Sequence, residues 1–182
     1  MTADDFFEWQ KNQDRNYELV DGVPVLPLKA MTGATLRHDR VTTNAIISLG
    51  NQLRGGPCRI ASTDVAIRVP TGGVRRPDLS VDCGRFVDGA MEAQEPRLVL
   101  EVLSPSTASV DRVRKLDEYR LHPSIQVVLL ADTRTPKVAL WRRRDLTWHA
   151  EDYDGLDAVI ELPEISARLS LAELYEGLTF DL

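Results

Sequence analysis

The sequence predicts an α/β protein with a mixed central β-sheet flanked by α-helices. Two observations favour this class over a β-sandwich or a helical bundle. Predicted helices and strands alternate along the chain in the order helix, hairpin, helix, three strands, helix, strands, helix. The run IQVVLLAD at 125–132 is apolar at nearly every position, which is typical of a strand covered on both faces.

The N-terminal third predicts a short helix, a hairpin and a long helix. Thr2 is placed to cap the short helix. The segment YELVDGVPVL at 17–26 predicts a hairpin that turns at Asp21 and Gly22, because Asp-Gly is a preferred pair for two-residue turns. Apolar residues recur at helical spacing over 36–54, which predicts an amphipathic helix.

The remainder predicts the sheet and the helices that cover it. Strands are expected at 59–69, 77–83 and 97–103, followed by a helix that ends near Leu121. Beyond the apolar strand, KVALWRRRD and LTWHAEDYD predict an antiparallel pair. AVIEL predicts a last strand, and SLAELYEGL predicts a short helix capped by Ser170.

Length and composition limit the possible functions. The chain has 182 residues, 43% of them hydrophobic and 27% charged, as expected for one globular domain over 1–182. The net charge of −6 argues against a protein that coats nucleic acid by bulk attraction, so DNA contacts are expected from local basic patches. The N-terminus lacks the basic region of a signal peptide, and no apolar run reaches the roughly 18 residues of a membrane span. We expect a cytoplasmic protein without membrane contact.

The cysteine content is low. Cys58 and Cys83 share no metal-ligand spacing and are too few for a secreted disulfide framework. We therefore interpret both as core thiols of a protein in a reducing compartment.

Two acids on neighbouring predicted strands are candidates for a functional site. Strand alternation places Asp78 on the same face as Ser80 and Asp82, a face that can contact water. Glu101 is anomalous because it interrupts the apolar run RLVLEVL at 97–103, and burial of an unpaired carboxylate is costly. One interpretation pairs Glu101 with a core arginine or places it at a solvated sheet end. The other brings both carboxylates together around a hard divalent ion such as Mg²⁺.

The helix predicted after 97–103 offers a lysine. Asp111, Lys115 and Tyr119 follow each other at intervals of four, so they share one helix face. The simpler interpretation is a surface ion pair between Asp111 and Lys115, with Tyr119 packed beside it. Alternatively, Lys115 reaches back to the sheet, where an ammonium group can position an attacking hydroxide and offset the negative charge that grows on a phosphate.

These motifs together resemble a nuclease signature. The PD of RRPD at 75–78 and the E of LEV some twenty residues later are similar to the PD-(D/E)XK pattern. With YELVDG, EVLSPST and the following D-x-x-x-K-x-x-x-Y, they resemble the Uma-two family of bacterial restriction-endonuclease-like proteins over residues 16–132. The resemblance implies a restriction-endonuclease-like core with an N-terminal hairpin and an antiparallel C-terminal extension.

The resemblance also implies a metal site. According to this resemblance, Asp78, Glu101 and the backbone carbonyl of Val102 would hold one or two Mg²⁺ or Mn²⁺ ions. In the general superfamily pattern a lysine follows the glutamate by two positions, and here that position is Leu103. The family pattern implies that Lys115 has taken over this role.

Four further residues near the motifs are candidates. Glu18, in YELVDG, would bind a second ion or anchor Lys115, or else it is a surface acid of the hairpin. His38 falls where the family often has a histidine and could contact phosphate, or it is a polar neighbour of the helix cap. Arg75 and Arg76 could clamp a DNA backbone, although a solvated loop pair fits the sequence equally well.

Three classes of function follow. A metal-dependent endonuclease that acts on DNA is favoured, and a homodimer would suit an enzyme that cuts both strands of a duplex. The alternative is a catalytically inactive restriction-endonuclease-like fold that acts as a nucleic-acid-binding or protein-interaction module, which Leu103 and the acidic net charge favour. A hydrolase of small phosphates or sugars finds no support in a Gly-rich phosphate loop or a Ser-His-Asp arrangement.

Overall fold

A computed structural model of the protein describes residues 1–27, 33–103 and 109–180, and of 109–111 the backbone alone. Helices in these ranges are α1 (Ala3–Gln10), α2 (Leu36–Leu53), α3 (Ser109–Leu121) and α4 (Leu171–Leu174). The strands are β1 (Glu18–Val20), β2 (Val23–Val25), β3 (Arg59–Ser62), β4 (Ile67–Arg68), β5 (Val74–Arg75), β6 (Leu79–Asp82), β7 (Pro96–Leu103), β8 (Val127–Asp132), β9 (Lys137–Arg144), β10 (Thr147–Asp154), β11 (Val159–Leu162) and β12 (Ala167–Ser170).

The central sheet has six strands in the order β10-β9-β8-β7-β6-β3. β7 and β8 run parallel and are joined by the crossover that contains α3, whereas the other neighbours are antiparallel. A parallel pair needs such a crossover, and the helix within it covers part of the sheet. The predicted class, a mixed sheet flanked by helices, is confirmed.

The central sheet is covered on both faces. On one face, side chains of β6 and β7 such as Leu79, Leu98 and Leu100 pack in one core cluster with Val41 and Ala45 of α2. On the other face, Val99 of β7 and Val128 of β8 pack with Tyr119 of α3 and with β4. Because strand side chains alternate, Glu101 shares its face with Val99 and points toward α3.

A second sheet carries the N-terminal hairpin. Its order is β2-β1-β5-β4, and Phe6 and Phe7 of α1 pack with Leu19 and Val74 on it. The predicted hairpin is confirmed, since Asp21 and Gly22 have φ angles of 52° and 75° that a two-residue turn of this kind requires. The sheet brings β1 beside β5, and therefore Glu18 close to Arg75 and Arg76.

The predicted helix cap is confirmed for Thr2 but not for Ser170, and a cap that was not predicted lies at Thr35. Thr2 caps α1 in a capping box with Asp5, and Thr35 caps α2 by accepting from the amide of His38. Ser170 occupies the N-cap position of α4, but its side chain makes no capping hydrogen bond. The predicted opening of α3 by the segment at 104–107 lies outside the described residues.

The strand predicted over 59–69 is wrong as one element. A turn in which the amide of Val65 donates to the carbonyl of Ser62 separates β3 from β4, and the two strands enter different sheets. Two strands were not predicted: β5 lies in the stretch expected to be a loop, and β12 precedes α4 and pairs with β11. None of the helices in the described ranges is both long and apolar enough to cross a membrane.

The interpretation of the cysteines as thiols is wrong, because they form a disulfide. Cys58 precedes β3 and Cys83 follows β6. The register of these antiparallel strands pairs Arg59 with Asp82, which places the two cysteines opposite each other with Cα atoms 4.0 Å apart. The spacing of 25 residues gave no indication of this pairing, since it depends on the strand register.

Candidate active site

The β6–β7 pair brings the two predicted metal-binding acids to the same end of the central sheet. Leu79 lies opposite Leu100 and Ser80 opposite Val99, and Asp78 and Glu101 are the next residues beyond this ladder. The amide of Val102 donates to Asp78, so the aspartate lies beside the chain neighbour of Glu101. Glu101 points toward Tyr119 of α3, whereas Asp78 contacts His38 of α2.

Asp78 is held by contacts from two elements. Its side chain is 5% exposed, and Oδ2 accepts a hydrogen bond of 2.8 Å from the backbone amide of Val102. The same oxygen lies 3.3 Å from Nε2 of His38, in the first turn of α2. His38 therefore contacts Asp78 directly, so it is more than a polar neighbour of the helix cap.

Glu101 is paired with a buried phenol. Its Oε1 accepts a hydrogen bond of 2.8 Å from the hydroxyl of Tyr119, a residue of α3 with no exposed surface. Burial, followed by the negative charges of Glu101 and Glu18, raises the pKa of Tyr119 well above its ordinary value of 10.0. Tyr119 is therefore a stable hydrogen-bond donor that fixes the orientation of Glu101.

Lys115 is anchored by Glu18. Its Nζ lies 3.0 Å from Oε1 of Glu18, which is 2% exposed and also accepts from the amide of Arg76 and from Nη1 of Arg75. Burial alone would raise the pKa of Glu18, but Lys115, the Arg76 amide and the Arg75 charge outweigh burial and lower the pKa below its ordinary value of 4.5. Glu18 is therefore a buried carboxylate, whereas the alternative interpretation made it a surface acid.

The predicted exposure of Arg75 and Arg76 is wrong, because each residue is only 1% exposed. Arg75 donates Nε and Nη2 to the two carboxylate oxygens of Glu118 at 2.5 and 3.1 Å. Arg76 donates to the backbone carbonyls of Tyr17 and Asp64. Both guanidinium groups thus connect the segment at β5 to surrounding elements. Either arginine would have to break these contacts before it could clamp a DNA backbone.

Two cavities adjoin the acids. A small one of about 30 Å³ is lined by residues of β7 and α3 that include Glu101, Val102, Leu103, Arg112 and Lys115. Leu103, at the position of the motif lysine, thus lines the same cavity as Lys115. A larger one of about 470 Å³ opens beside Asp78 and His38.

The donor set partly fits a divalent ion. Among residues with described side chains, no three His, Cys, Asp or Glu are grouped so that they could hold a metal. Two carboxylates and a backbone carbonyl are nevertheless hard oxygen donors of the kind that Mg²⁺ and Mn²⁺ accept, and such ions keep several water ligands. Asp78, Glu101 and Val102 could therefore supply part of a coordination shell.

Glu118 was not predicted as a site residue, and Tyr119 was expected only to pack beside a pair of Asp111 and Lys115. Glu118 and Tyr119 lie on α3, three and four residues after Lys115, so they share its face. Their helical spacing was a usable signal. What the sequence could not indicate is that Glu118 reaches Arg75 and Tyr119 reaches Glu101, since these partners lie 43 and 18 residues away along the chain.

Comparison with known proteins gives a consistent result. The Uma2 (Uma-two) family model, described as "Putative restriction endonuclease", matches residues 3–173. Two proteins of Synechocystis, both called uncharacterized, are similar along most of their length. The protein slr1290 is 30% identical over 99% of this chain and 94% of its own, and sll1609 is 26% identical over 88% and 92%.

A solved structure shares the fold. It is the crystal structure of "a putative nuclease belonging to DUF820" from Anabaena variabilis, which matches with a TM-score of 0.73 and 18% identity. The match covers 96% of this chain and 97% of the other, so it includes both the central sheet and the elements around it.

Proposed function

Because this chain belongs to the Uma2 family, described as "Putative restriction endonuclease", we propose that it is a metal-dependent nuclease that hydrolyses phosphodiester bonds of DNA. Family and fold together support a nuclease-type function. The observation that supports the finer proposal is the hydrogen bond from the amide of Val102, the residue after Glu101, to Asp78, with Lys115 lining the same cavity as Glu101.

In this mechanism Asp78, Glu101 and the carbonyl of Val102 would hold Mg²⁺ or Mn²⁺. The bound ion would polarise the scissile phosphate and lower the pKa of a water molecule. The Lys115 ammonium orients the attacking water and offsets charge on the phosphate. Glu18 acts as the anchor of Lys115, as their 3.0 Å contact supports.

The remaining polar residues position these groups. Tyr119 holds Glu101, and His38 contacts Asp78 from the side of α2. His38 is thereby close enough to the acid to contact a phosphate bound there. A homodimer would offer one such site to each strand of a duplex.

The test is cleavage of plasmid DNA with Mg²⁺ or Mn²⁺ by the wild type, Asp78→Ala and Lys115→Ala. Lys11→Ala is the matched control, because Lys11 is an exposed lysine paired with Glu8 on α1. We expect the control to cleave normally and each site variant to lose activity by about a hundredfold or more, as for other groups that stabilise transition-state charge. Equal cleavage by all four proteins would indicate a contaminating nuclease and overturn the site.

Leu103 at the motif lysine position supports a second candidate, a catalytically inactive binding module. Titration calorimetry with Mn²⁺ separates the two. Metal binding that Asp78→Ala abolishes, without cleavage under any of the conditions above, would favour the module over the nuclease.

A further inference from the structure

The larger cavity lies beside the proposed reaction centre but shares no lining residue with the small cavity of Glu101 and Lys115. Its volume is about 470 Å³. The lining comes from separate parts of the chain: the loop after α1, the first turns of α2 and the segment that leads into β6. Its charged members are Arg15, Arg76, Asp39 and Asp78, and its other polar members include Asn16 and His38.

The size of this cavity limits what can occupy it. Pockets for small ligands usually measure about 300–1,000 Å³, so this one has the volume of a single small-molecule site. A stacked base pair with both of its strands cannot enter such a space. One nucleotide can enter only when its base is not held in a duplex.

The chemistry of the lining suits a nucleotide. Arg15 and Arg76 carry guanidinium groups, which suit phosphate oxygens. The Asn16 amide donates to Asp64 and the Thr42 hydroxyl donates to the carbonyl of His38, so the oxygens of both groups can accept from a base edge. Histidine rings can stack on unpaired bases, and His38 lies in this wall.

Arg76 is a fixed cation in the wall of the cavity. It is 1% exposed and donates Nε and Nη1 to the backbone carbonyls of Tyr17 and Asp64. Burial lowers the pKa of Arg76, against the opposing effect of the charges of Asp64 and Glu18. Its charge therefore acts on an entering phosphate through space, without release of these contacts.

We infer that this cavity receives one unpaired nucleotide of the substrate strand, beside the phosphate that is cut at Asp78. The inference rests on the proposed nuclease function and specifies its substrate class. The preferred substrates are single strands, overhangs, flaps and bulges, because an intact duplex must first unstack a base. The residues that select them are Arg15 and Asn16 at the mouth and Arg76 inside.

Binding measurements test the cavity independently of cleavage. Fluorescence anisotropy compares a labelled single-stranded oligonucleotide with the same sequence as a blunt duplex, without divalent ions so that neither is cut. Two variants alter the cavity: Arg15→Ala removes an exposed cation, and Ala34→Trp fills the mouth from an exposed position. Arg54→Ala is the matched control, because Arg54 is exposed and follows the last residue of α2, about 27 Å from its start at 1.5 Å per residue over 18 residues.

We expect the wild type to bind the single strand more tightly than the duplex, although the duplex has the higher charge density. Arg15→Ala should weaken single-strand binding by about tenfold, the effect of losing one hydrogen bond to a charged group. Ala34→Trp should abolish the preference, and Arg54→Ala should leave both affinities unchanged. Circular dichroism and thermal unfolding verify that every variant is folded.

Equal or tighter binding of the duplex by the wild type would overturn the inference, even if plasmid DNA is cleaved. The inference would also be overturned if Ala34→Trp still preferred the single strand over the duplex. It would equally be overturned if the control Arg54→Ala lost this preference as completely as Ala34→Trp. Conversely, a strand preference that depends on Arg15 and Ala34, without cleavage in Mg²⁺ or Mn²⁺, would support the cavity and contradict the nuclease proposal.

Discussion

Glu18 shows how single residues at this site depend on charges from distant parts of the chain. Its carboxylate contacts Lys115, the amide of Arg76 and the guanidinium of Arg75 in an almost fully buried position. Opposite charges and the amide more than offset the cost of burial, as the lowered pKa indicates. Removing this acid would take a carboxylate from Lys115 and from Arg75, although Arg75 would keep its two hydrogen bonds to Glu118.

We predict that Glu18→Gln lowers the free energy of unfolding at pH 7 by about 3 kcal/mol, since loss of one partner strands a buried charge. Because the folded-state pKa of Glu18 lies below its ordinary value of 4.5, the stabilisation is complete above that value and is lost as the pH falls through the folded-state pKa. Urea unfolding at several pH values should show the gap between wild type and variant shrinking below about pH 4.5. The exposed Glu8→Gln is the control, and a gap of similar size there would contradict the prediction.

Tyr119 is a positioning residue for Glu101. Outer hydrogen-bond partners of metal ligands typically change metal affinity by about 10–100-fold. We therefore predict that Tyr119→Phe weakens Mn²⁺ binding by a factor in that range, measured by calorimetry. The control is Tyr153→Phe, because the Tyr153 hydroxyl also donates to a carboxylate, that of Glu151 in β10. Equal Mn²⁺ affinity in the wild type and Tyr119→Phe would show that Glu101 is not a metal ligand.

Elements differ in how far the sequence predicts them. The hairpin was predictable because Asp21 and Gly22 alone decide its turn, and α2 because Thr35 and the apolar period lie within one segment. The site acids were also predictable, because they lie within sequence motifs. The split of 59–69 into β3 and β4 was not predictable, since each of these strands pairs within a different sheet.

Other features of the site depend on tertiary contacts. The burial of Arg75 depends on Glu118, a residue of another element. The pairing of Cys58 with Cys83 depends on the register of β3 against β6. Local sequence carries no signal for either contact, because both form only when the elements pack.

The disulfide joins β3, the last strand in the order of the central sheet, to β6. It closes a loop of 25 residues, and chain entropy then predicts a stabilisation of about 3.5 kcal/mol. We predict that reductant lowers the free energy of unfolding of the wild type by this amount, measured by urea denaturation. The double variant Cys58→Ser, Cys83→Ser should not respond to reductant. Two titratable thiols in the folded, unreduced protein would contradict the prediction.

At the scale of the whole molecule, the charge balance opposes nucleic-acid binding, since the chain carries a net charge of −6. Attraction at this face must then come from local cations. Arg75 and Arg76 are buried and held by protein contacts, although Arg76 also lines the larger cavity, whereas Arg15, Arg112 and Lys115 line the cavities and are less buried. About three phosphate contacts are therefore the most that this face offers without rearrangement.

This limit predicts a weak dependence of binding on salt. For single strands, each neutralised phosphate contributes about −0.7 to the slope of log K against log salt concentration, so three contacts give a slope of about −2. Anisotropy titrations from low to physiological salt should yield this value, and Lys115→Ala should make the slope shallower by about 0.7. Arg54→Ala, at the far end of α2, should leave it unchanged. A slope steeper than about −4 would mean that more than five phosphates are contacted, and would place the nucleic-acid surface beyond the two cavities.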